Sequence, residues 1–240
     1  MTLVHTTGRI LRQLRHDRRT VALLILVPSL LLTLLYYMFS GPVFDRVALI
    51  MLGIFPFLIM FLITSIAMLR ERTTGTLERL LTTPLRKTDL LFGYGIAFGV
   101  AAAVQAAIVS GVAYWLLGLD TRGSAGFVIL IAAANAVLGV ALGLLASAFA
   151  RTEFQAVQFM PVVALPQILL CGLFVAREDM AGWLQAISDV LPLTYSVEAL
   201  QEVGAHADPT GTMWRDLAIV GGAVILALIA AAGTLRRRTP

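Results

Sequence analysis

The sequence predicts an all-α integral membrane protein with six transmembrane helices. Three observations predict it. Hydrophobic residues make up 59% of the 240-residue chain and charged residues only 13%, against roughly 25% charged in a soluble domain. The mean hydropathy is +0.88. The apolar residues fall into six long charge-free blocks, with the basic residues gathered at their ends.

The blocks are Val21–Phe44, Val47–Leu69, Leu90–Leu119, Gly123–Ala150, Phe154–Ala176 and Leu217–Leu235. Each exceeds or approaches the ~20 helical residues that cross a hydrocarbon core. Helices are required because lipid offers an open backbone no hydrogen-bond partner. Val21–Leu35 alone holds eleven Leu, Ile or Val residues, about −3 to −7 kcal/mol of insertion free energy. The first block follows basic residues as a signal peptide would. It outlasts an h-region of about 7–15 residues and no A-x-A site follows, so it reads as a retained span.

Positive charge sets the expected orientation. Fourteen Lys and Arg residues lie on one side: five before the first span, five between spans two and three, Arg151, and Arg236, Arg237 and Arg238 in the tail. Arg46, Arg122, Arg177 and Arg215 lie on the other. The positive-inside rule puts both termini in the cytoplasm. Residues 177–215 are then external, and they are acidic. Within residues 1–20, Leu3, Ile10, Leu11 and Leu14 share one arc at 100° per residue, with Arg9, Arg12, His16 and Arg19 opposite. That pattern predicts an interfacial helix in the headgroup plane; the simpler alternative is a charged flank that only sets topology.

Several function classes are excluded. The chain has no G-x-x-x-x-G-K-[ST] phosphate loop and no H-E-x-x-H, so it has neither of these devices for ATP or catalytic zinc. Its histidines, His5, His16 and His206, all lie outside the blocks, and Cys171 is the only cysteine; no metal site and no catalytic set is expected. Basic residues form no nucleic-acid stripe. No ionisable residue lies well inside a block, whereas ion-coupled carriers generally need one. The chain has no evident energy input of its own, which points to a subunit driven by another protein.

Residues 70–91 read RERTTGTLERLLTTPLRKTDLL and form the largest basic loop. Glu71 and Arg72 extend the second helix, Gly75 loosens it, and Thr76 is an N-cap for a short helix over 77–81. Pro84 ends that helix. Leu77, Leu80, Leu81 and Leu85 in an exposed loop call for a packing partner. The run R-E-R-x-x-G-T-L-E-x-L-L-x-T-P-L closely resembles the loop of ABC-2-type transporter permeases, most of all daunorubicin-resistance-type drug-export permeases. A second match comprises Gln158, Phe159 and Pro161, then Leu170–Phe174, Met180, Trp183, Leu184, Ile187, Ser188, Pro192–Tyr195, Ala199 and Leu200. Cys171 stands where the family often has Ser, and Ala176 where a Pro commonly follows the Phe.

The resemblance covers nearly the whole chain and implies one permease domain, 1–240. It implies a pore-forming half that dimerises with an identical or similar chain and is driven by a cytosolic ABC ATPase. That partner would bind ATP and Mg; this chain would bind no cofactor. Glu71, Gly75, Thr76, Glu78, Pro84 and Leu85 are the positions expected to couple to the ATPase. Local pairing of the two glutamates with Arg70, Arg72 or Arg79 is the alternative. The resemblance also makes 177–215 a partly re-entrant external hairpin, with Trp183, Pro192 and Tyr195 as its marks. A plain interfacial anchor role for Trp183 and Tyr195 stays open. Gln158, Pro161 and Gln167 are candidates to line a substrate path, although such residues more often bond a neighbouring helix. Gly95/Gly99 and Gly139/Gly143 are G-x-x-x-G pairs, expected to serve packing within the chain.

The expected function is that of a multi-pass permease subunit in the plasma or inner membrane, exporting an amphipathic drug-like molecule or a lipid, with a link to antibiotic resistance. Membrane lipid is an expected partner. A secondary carrier and a non-transport scaffold are the rivals.

Overall fold

The computed structural model describes residues 3–73 and 87–234. Every regular element among them is helical: α1 (Leu3–His16), α2 (Arg18–Met38), α3 (Pro42–Thr73), α4 (Lys87–Gly111) with a π-helical turn at Val112–Leu116, α5 (Ala125–Ser147), α6 (Glu153–Leu170), α7 (Gly182–Ser188), α8 (Pro192–Ala205) and α9 (Gly211–Thr234). Six of these, α2, α3, α4 with its π turn, α5, α6 and α9, are long and apolar enough to cross a membrane. The six-span, all-helical expectation holds.

α3 and α5 form the centre, and α4, α8 and α9 pack on α5. Their approach is set by two glycines. A Cβ at Gly139 or Gly143 would strike the backbone of Phe57 or Phe61 on α3, so only glycine lets the two helices come this close. Gly95 and Gly99 carry the same motif without the same demand: a Cβ there would meet Leu228 or Val137 at an ordinary 3.8 Å.

α1 lies along α4 and α2. Ile10 is buried, with Leu11 and Leu14 beside it, against Met68, Tyr94 and Phe98. Ile10, Leu11 and Leu14 of the apolar arc read from the sequence thus lie on the packed face. Asp17 separates α1 from α2 and caps the latter: Thr20 donates to it from its backbone N–H (3.2 Å) and its hydroxyl (2.6 Å). These bonds hold the Asp17 carboxyl below its ordinary range.

Several boundaries differ from the sequence expectation. The first span stops at Met38, not Phe44, and the second begins at Pro42, not Val47, with Gly41 at φ +54° in the turn between them. The fifth span stops at Leu170, not Ala176, because Gly172 adopts φ +90° and turns the chain. Apolar residues continue through that turn and conceal it. The sixth helix begins at Gly211, not Leu217. Thr210 caps it by accepting from Met213 N–H (3.1 Å) and is itself tied to Glu202 (2.6 Å). Arg215 and Asp216 therefore belong to the helix, and Asp216 is fully buried.

The segment expected as a hairpin holds a short 3-10 turn at Arg177–Asp179, then α7 and α8. Pro192 opens α8 at a position where a missing N–H costs nothing. α8 packs against α9, α3 and α5 and buries Leu193, Val197, Leu200 and Val203. Trp183 on α7 is largely exposed, and Tyr195 on α8 is half-buried.

Candidate functional site

Three polar groups stand out, one at the end of the bundle that carries α1, one in its middle and one at the far end. The first is built on three successive residues at the end of α3. Successive helical residues point 100° apart, and each of these engages a different neighbour. Arg70 donates to both oxygens of Glu153, the first residue of α6, at 2.7 and 3.0 Å. Arg72 donates to the carbonyl of Ser147, the last residue of α5. Glu71 lies 3.8 Å from Arg9 of α1, and Arg9 also reaches the Tyr94 hydroxyl of α4 at 3.4 Å.

Helix-end chemistry explains two of these links. The last carbonyls of α5 have no partner within their helix, and Arg72 supplies a donor. A carboxylate on the first turn of α6 sits favourably at the positive end of the helix dipole. Thr152 and Gln155 complete that terminus: Gln155 N–H donates to Thr152 Oγ1 (3.2 Å) and Arg151 N–H to Gln155 Oε1 (2.8 Å), a variant of the capping box in which the returning bond goes to the residue before the N-cap. Glu71 thus pairs with Arg9 rather than with Arg70 or Arg72 on its own helix. Gly75, Thr76, Glu78, Pro84 and Leu85 lie outside the described residues. Beside this node, α1, α2, α3 and α4 enclose a groove of about 560 Å3, lined by apolar Leu14, Leu23, Ile63, Ile66 and Phe98 with Asp17 and Glu71 among them.

The middle group answers backbone needs. Pro28 has no N–H to give the carbonyl of Leu24, one turn earlier, and buried Gln105 donates to that carbonyl at 2.9 Å from α4. Asn135 of α5 donates to the Gly53 carbonyl of α3 (2.6 Å) and accepts from Ser196 of α8 (2.9 Å), joining three helices at one buried side chain. Asn135→Leu removes a partner from both, and we expect about 1–3 kcal/mol of lost stability, read as a lower thermal midpoint in detergent.

Of the three sequence candidates for a substrate path, Gln167 is buried. It accepts from Leu193 N–H (3.3 Å), an otherwise orphaned donor at the start of α8, and donates to Val163 O (3.1 Å). Gln158 and Pro161 lie on the exposed side of α6, and Gln158 lines a surface cavity of about 380 Å3 with Phe149, Arg151 and Phe159. The structure does not bring the three together.

At the far end, Arg177 pairs with Asp189 and with Glu198 (2.9 Å), and Arg215 pairs with Glu198 (3.4 Å) and Asp216 (2.7 Å). Tyr195 donates to the Asp189 carbonyl (2.6 Å). Sequence reasoning assigned none of these charges a role beyond topology. Apart from the adjacent Arg215 and Asp216, the partners are 12, 17 or 21 residues apart with no motif to connect them.

The ABC-2 type transporter family model matches residues 3–203, which run from α1 to nearly the end of α8. The chain belongs to the ABC-2 type transporter family. The permease is 28% identical over 156 residues to the Probable multidrug ABC transporter permease YbhR of Escherichia coli, covering 65% of this chain and 42% of that one. It is 26% identical over 141 residues to ABC transporter G family member 20 of Dictyostelium discoideum, covering 59% and 19%. It is 25% identical over 138 residues to the Linearmycin resistance permease protein LnrN of Bacillus subtilis, covering 58% and 36%. The permease thus matches less than half the length of each of these relatives. With six helices fit to span a bilayer, it is a multi-pass membrane protein of this family.

Proposed function

We propose that the permease is the membrane subunit of an ABC exporter. It would pair with a second copy or a similar chain and move an amphipathic drug-like molecule or a lipid, driven by a separate cytosolic ATPase. Both termini face the cytoplasm in this reading, in the plasma or inner membrane, as the fourteen-to-four bias of basic residues supports. ATP and Mg belong to the ATPase.

The observation that carries the reading is the node at the end of α3. The segment that follows it, residues 74–86, is the one whose sequence resembles an ATPase-docking loop. Any pull on that segment reaches α1, α5 and α6 together through Glu71, Arg72 and Arg70. Binding energy on a partner can then bias two arrangements of the bundle, as a differential interaction must. The relatives' names, a multidrug permease and a linearmycin resistance permease, support drug export. The apolar groove beside the node has the character an amphiphile requires.

One observation favours a secondary carrier: the buried carboxylate of Asp216. It sits within the second turn of α9 and is neutralised by the adjacent Arg215, which suits a structural ion pair better than an ion site.

The test is co-purification. The permease, extracted gently from cells that express it natively, is expected to bring an ATP-hydrolysing subunit with it. Glu78→Ala or Gly75→Pro is expected to retain about tenfold less of that subunit with the thermal midpoint unchanged. An intact dimer that carries no ATPase under conditions retaining weak partners favours the carrier or scaffold.

A further inference from the structure

The far end of the bundle holds a polar cavity of about 440 Å3 between the start of α3, the turn after α6, and α7, α8 and α9. Most of its charges are spent on one another: Arg177 and Arg215 are both engaged by Glu198, with Asp189 and Asp216 completing the set. Two are not. Arg46 and Glu178 line the same cavity and are exposed, and among the described residues neither pairs with an opposite charge. A ligand that carries both signs would satisfy both.

The cavity's surroundings narrow the class. The segment that gives it Ala176, Arg177, Glu178, Gln185 and Asp189 turns the opposite character outward. Phe174, Trp183, Ile187 and Val190 on that segment are exposed, which gives the segment an apolar surface as well as its share of the polar hollow. A head in the hollow with tails against the exposed apolar residues of this segment describes a lipid. The lining chemistry then selects the head. Gln201 and the amide oxygen of Gln185, whose nitrogen is bonded to the Glu178 and Met180 carbonyls, add hydrogen-bonding groups, and no aromatic ring lines the cavity among the described residues. A quaternary ammonium prefers an aromatic cage, whereas a primary ammonium has three N–H donors for carboxylate and amide oxygens. We propose that this cavity binds the head group of a phosphatidylethanolamine-type lipid, its phosphate at Arg46 and its ammonium at Glu178. The proposal does not depend on the direction of transport or on the ATPase.

Native mass spectrometry of the intact purified permease tests it, with phosphatidylethanolamine, its mono- and dimethyl derivatives, and phosphatidylcholine added in turn. The expected result is binding that falls with each methylation, about tenfold across the series. Glu178→Gln lowers phosphatidylethanolamine binding to the phosphatidylcholine level and leaves the latter unchanged. Arg46→Gln weakens both about tenfold, because the phosphate is common to them, and Arg46→Lys restores most of it. Both side chains are exposed, so the thermal midpoint stays in place. Equal binding of the two end members overturns the proposal, as does indifference to both substitutions. Glycerophosphoethanolamine competing as well as the whole lipid overturns the lipid assignment.

Discussion

Gly139→Ala and Gly143→Ala will each destabilise the bundle by about 1–3 kcal/mol, while Gly95→Ala will leave it unchanged or more stable by up to about 1 kcal/mol. The substitutions are chemically identical and fall on two copies of one motif, so the difference isolates packing. An alanine in a helix gains conformational preference over glycine at all three sites. At Gly95 nothing opposes that gain, since the new methyl meets only the Leu228 side chain at 3.8 Å. At Gly139 the methyl meets the Phe57 backbone, and at Gly143 it would stand 2.5 Å from the Phe61 carbonyl oxygen. Backbone cannot rotate away as a side chain can, so α3 and α5 must part. Their separation also stretches the bond from Asn135 to the Gly53 carbonyl, which crosses the same interface. Gly139→Leu, with a longer side chain on the same spot, should abolish recovery of folded protein. Reversible unfolding in mixed detergent measures the three alanine variants; equal effects at 139 and 95 would show that the close approach of α3 and α5 does not limit stability.

The same pair of motifs marks where sequence reasoning stops. Spans are legible because lipid imposes one rule on every backbone group, and a block such as Val21–Leu35 obeys it visibly. Whether a glycine pair is tight depends on what faces it, and no local pattern encodes the neighbour. Pro28 announces that the Leu24 carbonyl lacks a partner, but the donor, Gln105, is 81 residues away. The fifth and sixth spans were misbounded where a local signal was hidden. Apolar residues run on past Gly172, so the turn leaves no composition change, and Arg215–Asp216 read as loop charges because their mutual neutralisation inside a helix is a structural fact. The candidate site divides in the same way. The loop motif beginning at Arg70 was visible as a motif, yet the partners that give it mechanical meaning, Arg9 and Glu153, carried no mark of their own.

Exchange of the Arg70–Glu153 pair has the largest expected effect on activity. As a contact between exposed side chains it contributes only ~0.2–1 kcal/mol to stability, so its removal should hardly move the melting midpoint. Its position matters more. It joins the last turn of α3, where the segment 74–86 departs, to the first residue of α6, the helix on which Gln158 and Pro161 lie. If force from an ATPase passes through this joint, Glu153→Arg sets two cations against each other and should lower substrate-stimulated ATP hydrolysis and transport about tenfold or more. The Arg70→Glu single variant sets two carboxylates together and should do the same. The double exchange, Arg70→Glu with Glu153→Arg, rebuilds an ion pair between the same helices and should recover a good part of the activity. Recovery is incomplete because the exchanged pair places an arginine at the positive end of the α6 dipole, even though the planar guanidinium fork is kept, now on residue 153. A double-mutant cycle on coupled ATPase activity reads the interaction directly. Additive losses with no recovery would mean that the joint carries no coupling and that α3 drives α6 through its apolar contacts alone.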